Sequence, residues 1–544
     1  MKLSSRLALP PSPAVIALLV VAYALPGLLG HDPWKPEDAI GMGIVHQMLT
    51  HSQWWIPHLA GEPFVEDGPL QFWFAALLSR LASFALSADD GARLATAGSL
   101  AVCALFLRRA TVALWGPAQG TGAVLVFLGC LGLLVHAHEI IAELGLLAGH
   151  AITWYGLVRA RKNVRAGAIA FGIGLSVAVL SKGLIAFVAP VAVALLMPLL
   201  SPEWRTRACG KALASATALF ACAMAIWWSI AAAKSPEASA AWIAGQVSLI
   251  TLPGTARLLA GIKTLAWAAW PAWPIALWYL WDQRRTPRSA GIVFGVTALA
   301  ATLVTLLLLP EGREVHALSA LLPFSLLAGA GVERLRRGAA NALAWFGAMC
   351  FTALGCFVWF GWVAMMTGAP ERMARNFTRL EPGFVPQFQL IGLIAAIVLS
   401  AGWIWTIARS EHSPYRSVLW WTGGVSLFWG LAMTLWLPWA DYGKTYKPVA
   451  MSLADGLKRA LPRGVSCIES RGLGESQRAA LDYHAGIVTH RAETHMLGST
   501  PIRCPALLVQ GRSGEDERVG QGWRRVWEGS RPRDSERYRL YIRE

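Results

Sequence analysis

Charged side chains are scarce in this sequence. They make up 15% of its 544 residues, against about a quarter in an ordinary soluble domain. So little charge cannot cover a soluble body of this length, and 55% of the residues are hydrophobic. Acidic residues are scarcest: 32 Asp and Glu stand against 48 Lys and Arg, for a net charge of +16. In a soluble protein that excess would suggest nucleic acid. Here the basic residues sit in short clusters between apolar runs, which is how the positive-inside rule distributes them. There is no Gly-x-Gly-x-x-Gly loop, Walker motif or internal repeat, so the nucleotide-binding signatures are missing. The eight cysteines show no Cys-x-x-Cys spacing, and no zinc site follows from them. Two of them, Cys467 and Cys504, lie in the polar tail, where a disulfide is open to them if the tail is extracytoplasmic.

What the sequence does have is apolar runs of bilayer length. They lie near 12–30, 92–109, 118–137, 143–160, 166–182, 184–200, 212–232, 264–281, 289–310, 316–332, 340–363, 388–408 and 417–437. A hydrocarbon core needs roughly 20 apolar residues per helix, so these are about thirteen expected crossings. Basic clusters such as Arg159/Arg161/Lys162/Arg165, Arg284/Arg285/Arg288 and Arg334/Arg336/Arg337 mark the cytoplasmic ends. The odd count places the N-terminus inside and the tail outside. Lys2 and Arg6 precede the first run, and Gly27–Gly30 makes a poor cleavage site, so an uncleaved first span is expected. Leu70–Leu86 is apolar but carries Arg80. Counting it as a crossing would invert the basic bias, so it is expected to lie at the outer interface.

Two long outer loops follow, 31–91 and 233–262. In the first, Ile40, Ile44, Met48 and Leu49 recur at helical spacing, and Glu37 and Asp38 are placed to cap that amphipathic helix. The tail from 440 onward has only short apolar runs, Val465–Ile468, Ala506–Val509 and Tyr538–Ile542, with helical periodicity over Val449–Leu461. It reads as a small α/β domain, divided at 439/440 from a mainly α, polytopic membrane domain.

The first outer loop is the informative part. It reads Trp34-Lys-Pro-Glu-Asp, an amphipathic stretch ending Gln47-Met-Leu, Trp54-Trp-Ile-Pro, and Phe64-Val-Glu-Asp-Gly-Pro-Leu-Gln-Phe-Trp73. Ala142-Glu-Leu144, Leu180-Ser-Lys-Gly183 and Arg313-Glu-Val-His-Ala with Leu-Leu-Pro323 follow in order. Together these resemble the GT-C membrane glycosyltransferases that use polyprenyl-phosphate sugars, a group that includes the aminoarabinose transferases of lipid A and the protein O-mannosyltransferases. The resemblance covers nearly the whole chain. It also shows departures. The family's Glu-Lys-Pro is Glu66-Asp67-Gly68 here, its Asp-Glu is Glu37-Asp38, and its second outer loop often carries His and Arg where this chain has Trp242–Ser248.

The resemblance implies a GT-C-type bundle with a periplasmic C-terminal domain, in a bacterial inner membrane. It implies an inverting transfer from a polyprenyl-phosphate sugar donor to an extracytoplasmic lipid or protein acceptor. Such a transfer needs a carboxylate to take the acceptor's proton and cations to stabilise the departing phosphate. Glu37, Asp38 and Glu143 are the candidate catalytic residues. Glu66, Asp67, Lys182, Arg257, Lys263, Arg313 and His316 are the candidate substrate contacts. Paired carboxylates also suit a divalent metal ion, whose identity the pattern leaves open. A non-catalytic membrane scaffold is the alternative reading. A transporter is a third, disfavoured because nearly all charges sit at span ends.

Overall fold

The computed structural model describes residues 11–251, 255–309, 313–410, 413–492, 504–512, 519–532 and 534–543. Eight helical segments among them are long and apolar enough to cross a membrane: Ala88–Leu114, Val164–Lys182, Arg207–Lys234, Ala290–Leu307, Glu314–Arg334, Arg337–Thr367, Leu390–Arg409 and Arg416–Leu435. The other expected spans are shorter, broken or more polar helices. Pro13–Ala24 and Pro117–Leu128 have 12 residues each. Leu184–Leu200 begins as a 3-10 turn. The run expected at 264–281 is interrupted at Trp270-Pro271, between Thr255–Ala268 and Ala272–Asp282. Ala142–Arg159 carries Glu143 and His150, and nearly all of its side chains are buried.

Burial separates two kinds of helix. Glu314–Arg334 is 89% buried along its most apolar stretch, whereas Leu390–Arg409 is 11% buried. The latter presents Ile391, Ile394, Val398 and Trp405 outward. Contiguous apolar surface of that extent is rare on soluble monomers, and a bilayer removes its cost. At one end of the bundle the basic clusters stack on aromatic rings. Arg161 lies over Trp204 at 4.4 Å, Arg284 over Trp281 at 4.7 Å and Arg336 over Trp278 at 5.1 Å. Aromatic and basic side chains of this kind anchor helices at an interface.

Glycine brings two helices together at the opposite end. Ala142–Arg159 and Val164–Lys182 run antiparallel, and a Cβ at Gly149 would come within 2.4 Å of the Ala178 nitrogen. A Cβ at Gly174 would meet the Thr153 nitrogen at 2.5 Å. Small residues permit this approach, as at many membrane helix interfaces. The first helix therefore starts, and the second ends, side by side, with Glu143 next to Lys182.

Leu70–Ala82 is a helix of 13 residues, about 20 Å at 1.5 Å per residue. It is preceded by Gly68, whose N–H donates to the Ser181 carbonyl at 2.9 Å. It is followed by Asp90, whose Oδ1 accepts from the Gly30 N–H at 2.8 Å. Phe74, Leu77, Leu81 and Phe84 stay exposed along it. The segment thus returns to the rim it left and keeps an apolar stripe outward.

The outer loop is built on the helix Glu37–His51, in which Ile40, Ile44 and Met48 are buried as their spacing predicts. Capping by Glu37 and Asp38 is not made: Pro36 is the N-cap residue, with no side-chain cap bond. A two-residue ladder follows, β1 (His58–Leu59) with β2 (Glu62–Pro63).

The C-terminal region forms a five-stranded mixed sheet. Its strands are β3 (Ile468–Arg471), β4 (His490–Arg491), β5 (Ala506–Arg512), β6 (Trp523–Gly529) and β7 (Glu536–Arg543), in the order β4-β3-β5-β7-β6. The expected apolar runs become β3, β5 and β7, and the expected helix is Lys447–Ala460. Leu453, Leu457, Ile468, Leu508, Trp527 and Leu540 pack as its core. Cys467 and Cys504 are disulfide-bonded, joining the starts of β3 and β5. A helix Leu437–Lys444 crosses the division expected at 439/440. The helix Glu475–Ala485 lies between the sheet and the outer loop: Ala480 and Leu481 join the sheet's core, and Ala479 packs among Ile40, Ile44, Leu59 and Phe72. Gln47 donates to Asp482 at 2.5 Å, and the buried Arg478 donates to Glu62 at 3.0 Å.

Candidate active site at the outer rim

Three separate stretches converge where Ala142–Arg159 begins and Val164–Lys182 ends. The Lys182 ammonium lies 2.6 Å from Asp67 Oδ1 and 2.7 Å from Glu143 Oε1. All three side chains are buried. Beside them Arg313 pairs with Glu66, with Glu37 at 3.6 Å and with Glu475 of the C-terminal region at 3.9 Å. Two cations thus serve five carboxylates. Beneath this cluster runs a narrow cavity lined by Glu143, Lys182, His316, His150, Ala189 and Thr305, among other mostly apolar side chains. It opens between helices that reach down into the bundle.

Glu37 sits at the first turn of its helix and is mostly shielded from solvent. Burial pushes its carboxyl up to about 7, the Arg313 guanidinium pulls it down, and Glu143 and Glu139 push it up again. Burial likewise raises Asp67, to about 6, against the pull of Lys182 and with the push of Glu143. Burial works against the charge on Arg313, but Glu37, Glu66, Asp67 and Glu143 outweigh it and hold the guanidinium firmly protonated. Glu37 is therefore a carboxylate poised near neutral pH, the condition that general-base catalysis favours.

Asp38, expected beside Glu37 as a catalytic group, is committed elsewhere. Its Oδ2 accepts from Arg93 Nη2 at 2.9 Å and Nε at 3.2 Å, and from the Trp34 N–H at 3.4 Å. Its Oδ1 accepts from the Ile140 N–H at 2.9 Å. With both oxygens bonded and the side chain buried, Asp38 is a positioning residue. It ties the start of the Glu37 helix to the turn that precedes Glu143. Arg93 in turn bonds Asp89, Asp90 and the His31 carbonyl.

Of the expected substrate contacts, Glu66, Asp67, Lys182, Arg313 and His316 come together. Lys263 does not: it is exposed on Thr255–Ala268 and makes no ion pair among the described residues. The Arg257 side chain lies outside the described residues. Among the described residues no group of three or more His, Cys, Asp or Glu is arranged to hold a metal ion. Asp67 and Glu143, the pair best placed to share one, converge on the Lys182 ammonium instead. With the ammonium between them, this pair is not arranged to hold a divalent ion.

Sequence reasoning missed Arg93, Glu475 and Arg478. Arg93 left a signal: it is a basic residue at the outer end of an expected span, against the charge bias. The other two left none, since their partners Arg313 and Glu62 are far away in the sequence.

No family model matches the chain. A curated relative, the undecaprenyl phosphate-alpha-4-amino-4-deoxy-L-arabinose arabinosyl transferase of Pseudomonas aeruginosa, is 27% identical over 353 residues, 60% of this chain. The similarity spans 61% of that relative's length. The enzyme of the same name from Edwardsiella ictaluri is 27% identical over 227 residues, 40% of each chain. The crystal structure of ArnT from Cupriavidus metallidurans bound to undecaprenyl phosphate superposes with a TM-score of 0.69 at 15% identity. It covers 97% of this chain and 96% of that one. Its apo form gives 0.67 at 14% identity. By sequence this chain is similar to these aminoarabinose transferases, and it shares the fold of ArnT.

Proposed function

We propose that the protein is an inner-membrane glycosyltransferase. It moves a sugar from a polyprenyl-phosphate donor to an extracytoplasmic acceptor, lipid A or another lipid or protein, with inversion at the sugar. The observation that carries this reading is the juxtaposition of Glu37, poised near neutral pH, with Arg313 and Lys182 over a slot running into the bundle. The relatives are named for an amino sugar on undecaprenyl phosphate, and a rim rich in carboxylates suits a sugar that bears an ammonium group.

In the transfer, the acceptor oxygen attacks the anomeric carbon and its proton passes to the Glu37 carboxylate. The bond from that carbon to the phosphate oxygen breaks on the opposite face, and the phosphate leaves on its lipid. Lys182, Arg313 and His316 are the groups available to stabilise the charge that gathers there. Glu143 holds Lys182 at the head of the cavity. Asp38 and Arg93 fix the approach of Glu37.

The test is transfer by purified protein in lipid nanodiscs, supplied with undecaprenyl-phosphate-linked aminoarabinose and lipid A. Modified lipid A is the expected product, detected by its mass. A second reading, a scaffold that kept the fold without the chemistry, draws on one observation: both cations of the site are already paired with carboxylates. No detectable binding of any polyprenyl phosphate, and no transfer, would favour the scaffold.

The orientation is also proposed: about thirteen crossings, N-terminus cytoplasmic, residues 440–544 periplasmic, and Leu70–Leu86 at the outer surface. Reporter fusions at Arg161, Arg285 and Arg336 are expected to report cytoplasmic. Those at Asp67, Ala88 and after Trp439 are expected to report external. A cytoplasmic signal at Ala88 would show that Leu70–Leu86 crosses.

A further inference from the structure

The cation at the head of the cavity is already taken. Lys182 is held at 2.6 Å by Asp67 and at 2.7 Å by Glu143, so an incoming phosphate meets an ammonium whose charge is already balanced and two of whose three N–H donors are engaged. The Asp67 backbone has no room to swing aside. Gly68 N–H donates to the Ser181 carbonyl at 2.9 Å, Trp242 Nε1 donates to the Asp67 carbonyl at 2.8 Å, and Gln246 Nε2 donates to the Val65 carbonyl at 2.6 Å. A Cβ on Gly68 would stand 2.2 Å from the Leu180 carbonyl oxygen, so this stretch is packed backbone against backbone. With the backbone held, the adjustments left to Asp67 are its side-chain rotamer and its charge, and a rotamer change alone would leave the negative charge in the cluster.

The groups facing it set the sign of that change. Glu66 lies on its own loop, Glu143 on Ala142–Arg159 and Lys182 at the end of Val164–Lys182. Arg313 and His316 lie at the start of Glu314–Arg334, and Glu37 and Glu475 reach in from the loop helix and the C-terminal region. Five carboxylates around Lys182, Arg313 and Arg491, which meets Glu475 at 4.0 Å, still leave an excess of negative charge. Adding a phosphate to a buried cluster of that sign is costly, because charges there are weakly screened. The cost falls if one carboxylate is neutralised.

We infer that Asp67 is a specificity-determining residue: an internal carboxylate that occupies Lys182 in place of the donor's phosphate, and that must take up one proton for an anionic donor to be seated. The inference rests on the donor reading above. On binding, one solvent proton joins the Asp67 carboxylate, and Lys182 transfers its hydrogen bond from Asp67 to a phosphate oxygen. Protonated Asp67 then has an O–H to donate. Where the resembling family places a permanent Lys charge, this chain supplies a positive charge only when donor arrives. Asp67 is the suited carboxylate, since it titrates near 6 and the proposed base, Glu37, has to stay free to accept a proton.

The probe is a polyprenyl methyl phosphodiester, which keeps one fixed negative charge across the range studied. Its dissociation constant is measured on the full chain in nanodiscs between about pH 5.5 and 8.5. The wild-type constant is expected to weaken by up to about tenfold per pH unit above pH ~6, the slope of one linked proton. Asp67→Asn is expected to flatten the profile and to bind at least about tenfold more tightly at pH ~8. Asp67→Ser is a second neutral variant with the same expectation. Glu66→Gln removes a charge that belongs to Arg313 and should keep the wild-type slope. Parallel profiles for wild type and both Asp67 variants, or a slope lost equally in Glu66→Gln, overturn the inference and leave the donor reading standing. No binding by wild type or any variant overturns the donor reading and this inference with it.

Discussion

Replacing Glu37 by Gln is expected to lower the transfer rate by about 10²–10⁴-fold, the usual contribution of a general base, while the protein stays folded in the membrane. The substitution keeps the size of the side chain and its approach to Arg313, and removes only the capacity to accept a proton. Donor binding should survive, so the loss falls on the rate constant and not on affinity. The pH profile is the sharper readout. A base with its carboxyl near 7 must be ionised to work, so wild-type transfer at saturating donor is expected to rise as the pH climbs through about 7 and then level off. In Glu37→Gln that rise should vanish from the residual activity. The same burial has a consequence for stability. A carboxyl raised above its ordinary value favours the folded state while protonated, and that contribution fades as the pH rises from the ordinary Glu range through about 7. Full activity in Glu37→Gln, or an unchanged pH rise in its residual rate, would remove Glu37 from the mechanism.

The second large effect is expected at Arg93. Its guanidinium is fully buried among Asp38, Asp89 and Asp90, and Arg93→Met leaves three carboxylates without their cation. Breaking a buried pair from one side costs about 3–5 kcal/mol, because the abandoned charge remains out of water. The fold at this corner depends on it: the segment after the first helix at His31, the start of the Glu37 helix at Asp38 and the turn at Ile140 are all gathered there. Arg93→Met should therefore melt well below wild type in detergent and yield little monodisperse protein. Asp38→Asn should be milder, since Arg93 keeps Asp89 and Asp90. Its loss of activity should track its loss of stability, unlike that of Glu37→Gln. An Arg93→Met protein as stable as wild type would mean that the cluster is not a structural keystone.

Much of this architecture was legible in the residues themselves. The apolar runs found their helices because a bilayer imposes length and hydropathy on each segment independently of its neighbours. The buried face of Glu37–His51 followed from periodicity at Ile40, Ile44 and Met48. The site was legible in part, through the order of short motifs around Glu37, Asp67, Glu143, Lys182 and Arg313. Less legible was the division of labour among adjacent acids. Glu37 and Asp38 are equivalent by composition, and only the third dimension gives Arg93 and the Ile140 N–H to one and Arg313 to the other. The break at Trp270-Pro271 was hidden because the run around it is uniformly apolar. The pairs Arg478 with Glu62 and Glu475 with Arg313 were out of reach, since surface-type charges at distant positions carry no mark of their partners.

The docking of Glu475–Ala485 on the first outer loop also bears on how the chain is made. Arg478 and Glu62 are 416 residues apart, and Gln47 and Asp482 are 435 apart. At about 5–20 residues per second, the ribosome delivers the second partner roughly 20–90 s after the first. During that interval the apolar face around Gly43 and Leu59, later covered by Ala479, stands without its cover. The newborn loop therefore waits at the membrane surface as an unfinished structure, and the last fifth of the polypeptide completes it.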